Sequence, residues 1–206
     1  MQMFKTLTSF TFAAVMASAL PALAQETTDT TEAPQAEAQT ADELLDLGQP
    51  VNAEPRLGER YSKEKHGDWD LACIRTEAET DPCSLLQLLS GPDGNPMAEF
   101  SLFRLQEGGQ AVAGATIIVP LETLLPAQLT ISVDGAPGKR YNYSFCNPIG
   151  CVAQIGLTAE DIAAFKKGNQ ATLTLVPAPA PDQRIDLPLS LSGFTAGFDV
   201  VDVVSN

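Results

Sequence analysis

From Tyr61 onward the chain is written in short runs whose apolar residues recur at every second position, and that period allows few folds. "GDWDLACIR" sets Trp69, Leu71 and Cys73 against Asp68, Asp70 and Ala72, the pattern of a strand with one buried face. "SLLQLLS", "MAEFSLFRL", "AVAGATIIVP", "QLTISVDG", "KRYNYSF", "VAQIG", "ATLTLVP" and "IDLPLSLSGF" follow, divided by clusters of Gly, Pro, Asn and Asp. Strands of this length and spacing predict an all-β domain, an antiparallel β-sandwich or barrel-like fold. One segment departs from the period. In "LTAEDIAAFKKGN" Thr158 can cap a helix with Asp161 three residues on, Ile162 and Phe165 share a face, Lys166 and Lys167 suit the carboxyl end, and Gly168 can stop it.

Four cysteines, Cys73, Cys83, Cys146 and Cys151, admit three pairings. The local ones, Cys73 with Cys83 and Cys146 with Cys151, are favoured because turn formers separate each pair: Asp81-Pro82 in one, Asn147-Pro148-Ile149-Gly150 in the other. Such bonds stabilise by about 2 to 3 kcal/mol each in the chain-entropy model. In "FCNPIGC" a strand carrying Tyr141, Tyr143 and Phe145 reaches Cys146, and Val152 and Ile155 lie in the run leaving Cys151. A four-residue loop then sets Cys146 opposite Cys151 and Phe145 opposite Val152, a stapled hairpin with Gly150 in a left-handed position. A redox pair more typically has two residues between its cysteines and a helix amino terminus to lower one thiol's pKa, so the structural reading is preferred. Trp69, Phe145, Val152 and Phe194 are expected in the core, the alternative for Trp69 being an exposed ligand platform.

The amino-terminal part reads as an address. Lys5 precedes an uncharged apolar run from Leu7 to Leu20, and Ala22-Leu23-Ala24 fits a cleavage site, so residues 1–24 are expected to be a removable signal peptide. No later run approaches the roughly 20 apolar residues of a membrane-spanning helix. The expected product is exported, soluble, and periplasmic or extracellular, where disulfides persist. Residues 25–58 form an acidic leader expected to be disordered, with "DELLDLG" (42–48) as either a docking element or a hydrophobic spot in a linker. Residues 59–206 are left as the β domain.

Charge and inventory exclude several classes. The net charge is −14, which repels nucleic-acid phosphates and anionic lipid. Two basic pairs, Lys139-Arg140 and Lys166-Lys167, make no binding track. The single histidine, His66, rules out a two-histidine metal site and reads as an exposed residue just ahead of the first strand. Ser190 and Ser192 sit in a strand-like run, without the G-x-S-x-G elbow of a hydrolase nucleophile. No phosphate loop, cofactor motif or calcium loop is present. A pair of carboxylates for polymer hydrolysis stays open, since no two acidic residues stand out as facing each other.

"HGDWDLAC", "DPCSLLQLL", "PLETLL", "FCNPIGCVAQIGLT" and the terminal "LSLSGFTAGF", in this order, resemble the invasion-associated locus B family of exported bacterial proteins over about the last 145 residues. The chain departs from that pattern at Ser192, where a lysine is usual, and in its long acidic leader. The resemblance implies an all-β domain in the cell envelope, linked in some pathogens with host-cell invasion, with no catalytic residues, metal or cofactor to carry over. Two function classes result: a non-enzymatic protein binding an envelope or host-surface protein, which is preferred, and an envelope-polymer hydrolase using acidic residues, or a thiol-disulfide protein. The oligomeric state is not legible.

Overall fold

The computed structural model describes Gly48, Pro50 and residues 53–106 and 109–204. The expected signal peptide and most of the expected leader, including "DELLDLG" up to Leu47, lie outside the described residues. The strands are β1 (Arg60–His66), β2 (Trp69–Ile74), β3 (Cys83–Ser90), β4 (Pro96–Leu105), β5 (Ala111–Val119), β6 (Leu129–Val133), β7 (Lys139–Tyr141), β8 (Phe145–Asn147), β9 (Gly150–Thr158), β10 (Gln170–Leu175), β11 (Ile185–Ser190) and β12 (Val203–Val204). Helix α1 (Ala159–Lys167) follows β9, and α2 (Phe194–Val200) precedes β12.

The strands form two sheets. The larger runs in the order β1-β2-β3-β4-β5-β9-β8, with β12 added in parallel to the end of β4, and the smaller is β11-β10-β6-β7. Every other pairing is antiparallel. Neither sheet closes on itself, so the fold is an open sandwich rather than a barrel. Its core takes alternate residues from both sheets: Trp69, Leu71, Leu85, Phe100, Leu102 and Ile117 from the larger, Leu129, Ile131, Leu173, Leu187 and Leu189 from the smaller. Period-two alternation is what puts each of these sets on one face.

Helix α1 starts where its sequence signals it. The Thr158 hydroxyl accepts from the Asp161 N–H at 3.3 Å and the Asp161 carboxylate accepts from the Thr158 N–H at 2.9 Å, a complete capping box. Burial pushes the Asp161 carboxyl up, but the Lys139 ammonium and the Thr158 donors outweigh it and the net shift is downward. Ile162 and Phe165 turn into the core.

Four departures from the sequence reading have physical causes. First, β1 pairs antiparallel with β2 although "RYSKEKH" has no apolar alternation; it is an edge strand, and its charged side chains guard that edge against pairing with other chains. His66 is therefore the last residue of a strand, not an exposed residue ahead of one, and its side chain is only 11% exposed. Second, "KRYNYSF" is not one strand. Tyr141 ends β7 in the small sheet and Phe145 begins β8 in the large one, so residues 142–144 carry the chain from sheet to sheet, as sandwich corners do. Tyr143 packs on the core from this crossing; its hydroxyl is buried without a partner, and burial pushes its pKa up to about 12. Third, "IDLPLSLSGF" does not stay extended to its end: β11 stops at Ser190. Gly193 has φ +83, a conformation that side chains rarely adopt, and a β-carbon there would collide with the His66 carbonyl. The chain then turns into α2, which buries Phe194 and Phe198 one helical turn apart. Fourth, Phe145 is not a core residue: it is 48% exposed. Cys146 takes the face shared with core residues Cys151 and Val119, so its neighbour Phe145 must point to the opposite face, which no second layer of the described residues covers at this edge strand. Val152, on that same outer face, is buried, as are Trp69 and Phe194 in the core.

Candidate functional site

Two sequence motifs separated by more than a hundred residues meet at one end of the sandwich. The Trp69 indole N–H donates to the Ser190 carbonyl at 2.9 Å, and the buried Gln87 amide brackets Ser190, donating to its carbonyl at 3.1 Å and accepting from its N–H at 2.8 Å. The Ser190 hydroxyl donates to the Asp68 carboxylate at 2.6 Å, and the Asp68 N–H donates to the Ser192 carbonyl at 3.2 Å. These bonds clasp β2 and β3 of the large sheet to β11 of the small one and fully satisfy the polar groups they bury. The Trp69 ring is 1% exposed and meets Phe100 and Phe194 edge-on at 5.8 and 5.4 Å, a core packing arrangement.

Above the clasp lies a shallow polar recess of about 430 Å³ lined by Lys65, Asp68, Asp70, Gln87, Gln170 and Ser190. It brings a serine and two aspartates together, and His66 is not among its lining residues, so no relay is assembled there. The Ser190 hydroxyl donates its hydrogen bond directly to Asp68, with no imidazole between them. The His66 Nε2 is buried without a hydrogen bond, and the nearest carboxylate oxygen to it is that of Glu64 at 3.8 Å. Nucleophilic catalysis needs the base within hydrogen-bond reach of the nucleophile, and among the described residues the Ser190 hydroxyl donates to the Asp68 carboxylate and accepts from the Ser192 N–H at 3.2 Å, with no imidazole in reach. Asp70 accepts from the Ser62 hydroxyl at 2.5 Å. The acidic residues of the recess are thus engaged by hydroxyl donors.

Both disulfides are local and lie across hairpins, Cys73 to Cys83 between β2 and β3 and Cys146 to Cys151 between β8 and β9. The register Phe145 opposite Val152 and Cys146 opposite Cys151 continues to Asn147 opposite Gly150. The turn is therefore two residues, Pro148 and Ile149, rather than four. Gly150 has φ +151 and lies so close to the Val119 carbonyl that a β-carbon would collide with it. The Asn147 side chain accepts from the Ile149 N–H at 3.0 Å, holding the tip. The loop of the other hairpin is pinned by Asp81, whose carboxylate accepts from the Thr76 N–H, the Tyr61 hydroxyl, Arg75 and the Thr76 hydroxyl. Those donors, the Thr76 N–H foremost and then Tyr61, hold the Asp81 pKa down at about 2.

The outer face of the large sheet carries the feature that sequence reasoning missed. One row of paired positions crosses five strands there: Leu88, Glu99, Ile118, Val152 and Phe145. Leu88 is 57% exposed, Phe145 48% and the hairpin-tip Ile149 72%. Leu88 and Ile149 share a hollow of about 380 Å³ with Pro96, Met97, Ile118 and Pro120. Its polar rim is Arg60, paired with Glu99 at 2.7 Å. The signal for this surface was in "SLLQLLS": four leucines at positions of both parities cannot all face one core, so Leu86 and Leu88 take the outer face, and of these two Leu88 is exposed.

Comparison with known proteins adds an identity to this geometry. The model of the family described as invasion associated locus B (IalB) protein matches residues 69–202, a span that begins at the clasp tryptophan and encloses both disulfides. Two invasion protein B homologs, of Brucella abortus strain 2308 and of Brucella abortus biovar 1 strain 9-941, are each 25% identical over 143 residues, covering 69% of this chain and 80% of theirs. The crystal structure of invasion associated protein b from Bartonella henselae shares the fold, with a TM-score of 0.54 at 21% identity over 65% of this chain and 89% of that one. With the clasp, the two hairpins and the matched span in one continuous domain, the chain belongs to the invasion associated locus B family.

Proposed function

We propose that this is an exported, non-enzymatic cell-envelope protein that binds a protein partner through the outer face of its large sheet, beside the stapled hairpin. The observation that carries this reading is the grouping of Leu88, Ile118, Met97 and Ile149 around one hollow, with Phe145 farther along the same face. Leu88 and Ile149 are exposed there over partly buried Met97 and Ile118, and exposed apolar side chains on an apolar floor, edged by a charged pair, are the composition of a protein-binding patch. Local disulfides support residence in the periplasm or outside the cell, as do the charge, apolar run and Ala-Leu-Ala of residues 1–24. Among the described residues no helix is long and apolar enough to cross a membrane. The partner is an envelope or host-surface protein; the relatives' names as invasion proteins bear on those proteins, and a free-living cell would use the same patch within its own envelope.

A photo-crosslinking residue placed at Ile149 or at Leu88 in intact cells tests the proposal, with the same residue at Asp182 as the control. The expected result is one shared adduct from positions 149 and 88 that is absent from position 182 and is lost when the other position carries Asp. Identical adducts from all three positions, or none from the patch, would defeat it.

A further inference from the structure

Between the two helices and the β4–β5 end of the large sheet lies a second apolar feature, on the core side of the sheet and apart from the outer patch. Val112, Ile162, Ala163, Phe198 and Val203 line an open groove of about 700 Å³, with Arg104 and Lys166 at its rim. That volume is within the range of small-molecule sites, which are apolar with a few fixed polar groups.

The two cations differ in how they are held. The Lys166 ammonium is paired with Asp199 at 2.8 Å and lies 4.9 Å over the Phe198 ring. Among the described residues the Arg104 guanidinium bonds through its Nε alone, which donates to the Val201 carbonyl at 2.9 Å. Among the described residues no carboxylate pairs with its guanidinium, and the nearby Asp202 carboxylate is committed to the Cys83 N–H at 2.6 Å. In a chain of net charge −14, a half-buried arginine with its terminal nitrogens open beside an apolar trough is an anion site with an apolar extension.

The main chain around the groove decides between an alkyl chain and an extended peptide. The Arg104 N–H is taken by the Asp202 carbonyl at 3.0 Å and the Gln106 N–H by the Val204 carbonyl at 3.1 Å, because β12 already occupies that edge of β4. A peptide laid in as a strand would find those donors spent and would leave its own polar groups without partners. An alkyl chain has none to satisfy. We infer that the groove binds a free fatty acid, its chain along Ile162, Ala163 and Phe198 and its carboxylate on the open nitrogens of Arg104. This site is independent of the outer patch, and either can fail without the other.

Calorimetric titration of the full chain with decanoate below its micelle-forming range tests the inference, with decyltrimethylammonium as a probe of equal chain length and opposite charge. Saturable decanoate binding is expected, at least about tenfold tighter than that of the cation. Arg104→Gln, which keeps a donor for the Val201 carbonyl and removes the charge, should erase most of that preference. Ala163→Trp, a change at an exposed helix position that fills the trough, should abolish binding of both probes while the thermal transition stays in place. Equal affinity for the two head groups, undiminished binding to the Ala163→Trp variant, or an acidic helical peptide binding where decanoate does not would overturn it.

Discussion

The two stapled hairpins use the same covalent device in opposite settings. The β2–β3 hairpin lies inside the large sheet, both its cysteines are buried, and its loop closes over Asp81 and four donors. The β8–β9 hairpin ends the sheet: Cys151 is buried, Cys146 is exposed, and the tip offers Phe145 and Ile149 to water. In the first, the disulfide, the core and a polar network all act on the same backbone, so losing one leaves the others. In the second, a three-residue strand is held by the staple, by its pairing with β9 and by the Ser144 N–H on the Val152 carbonyl at 2.7 Å, without a buried loop network like that of Asp81. A bond buried among several restraints serves the fold, and a bond at an exposed sheet edge serves the local shape of a surface.

The largest expected effect is on the side of the central hairpin. Trp69 stands on β2, satisfied by Ser190 and packed between Phe100 and Phe194. Trp69→Ala should cost about 3 to 5 kcal/mol, measured by urea unfolding. It also strips Ser190 of a donor, so unfolding at the clasp should show in hydrogen exchange of β11 as well as β2. Unchanged stability would mean that the ring is a binding platform and that the central hairpin is not where the core is anchored.

Next come the staples themselves. Replacing Cys73 and Cys83 by serine opens a ten-residue separation, against five for Cys146 and Cys151, so the chain-entropy model gives about 3 kcal/mol for the first and about 2 for the second. Burial separates them more sharply than loop length. Under native conditions a thiol reductant should cut Cys146 to Cys151 first, since exchange needs access to a sulfur, and the order of appearance of alkylated cysteines by mass reads this directly. Simultaneous reduction would erase the contrast between a buried and an exposed staple.

How far these hairpins were legible follows from what each depends on. Register at Cys146 and Cys151 was readable because two cysteines close to each other bracket a turn-forming tetrad, and local spacing is all such a pairing needs. The side of the sheet was not: facing Val152 says that Phe145 has a partner, but not which face the pair occupies, and the missing second layer is a tertiary fact. For the same reason β1 was invisible, its place being set by the backbone donors of β2 rather than by its own composition. The clasp was legible only as two motifs in the right order. Nothing local to "GDW" or "LSLSGF" announces a hydrogen bond across 121 positions, and the turn at Gly193 that makes α2 looks, in sequence, like the end of one more strand. Helix α1 was readable to its caps because all its signals lie within eleven residues.

Acid sharpens the comparison on the central side alone. The folded state holds Asp81 ionised, with its pKa lowered to about 2 from an ordinary value near 3.8. Its contribution is therefore fully present above the unfolded value and is lost as pH falls from about 4 toward about 2. Asp81→Asn should lower the thermal transition at neutral pH and flatten its fall across that window, and the same substitution at exposed Asp182 should do neither. A parent and variant that lose stability in parallel between pH 4 and 2 would show that the loop network does not brace the first hairpin.

The smallest expected effect on folding belongs to the tip of the second hairpin, and it is the one that bears most on function. Ile149 is 72% exposed, its N–H is held by Asn147, and its side chain is not part of the core cluster. Ile149→Ser removes a branched alkyl group from water, which should move stability by no more than about 0.5 kcal/mol, as surface changes do. The hollow beside Leu88 and Met97 loses one wall by the same change. If the edge hairpin exists to present that wall, partner capture should fall while the thermal transition and the native-state reduction of Cys146 to Cys151 stay as in the parent. If capture instead tracks stability across Trp69→Ala, the two cysteine variants and Ile149→Ser, then the second staple serves the fold as the first one does, and the surface reading of the edge hairpin fails.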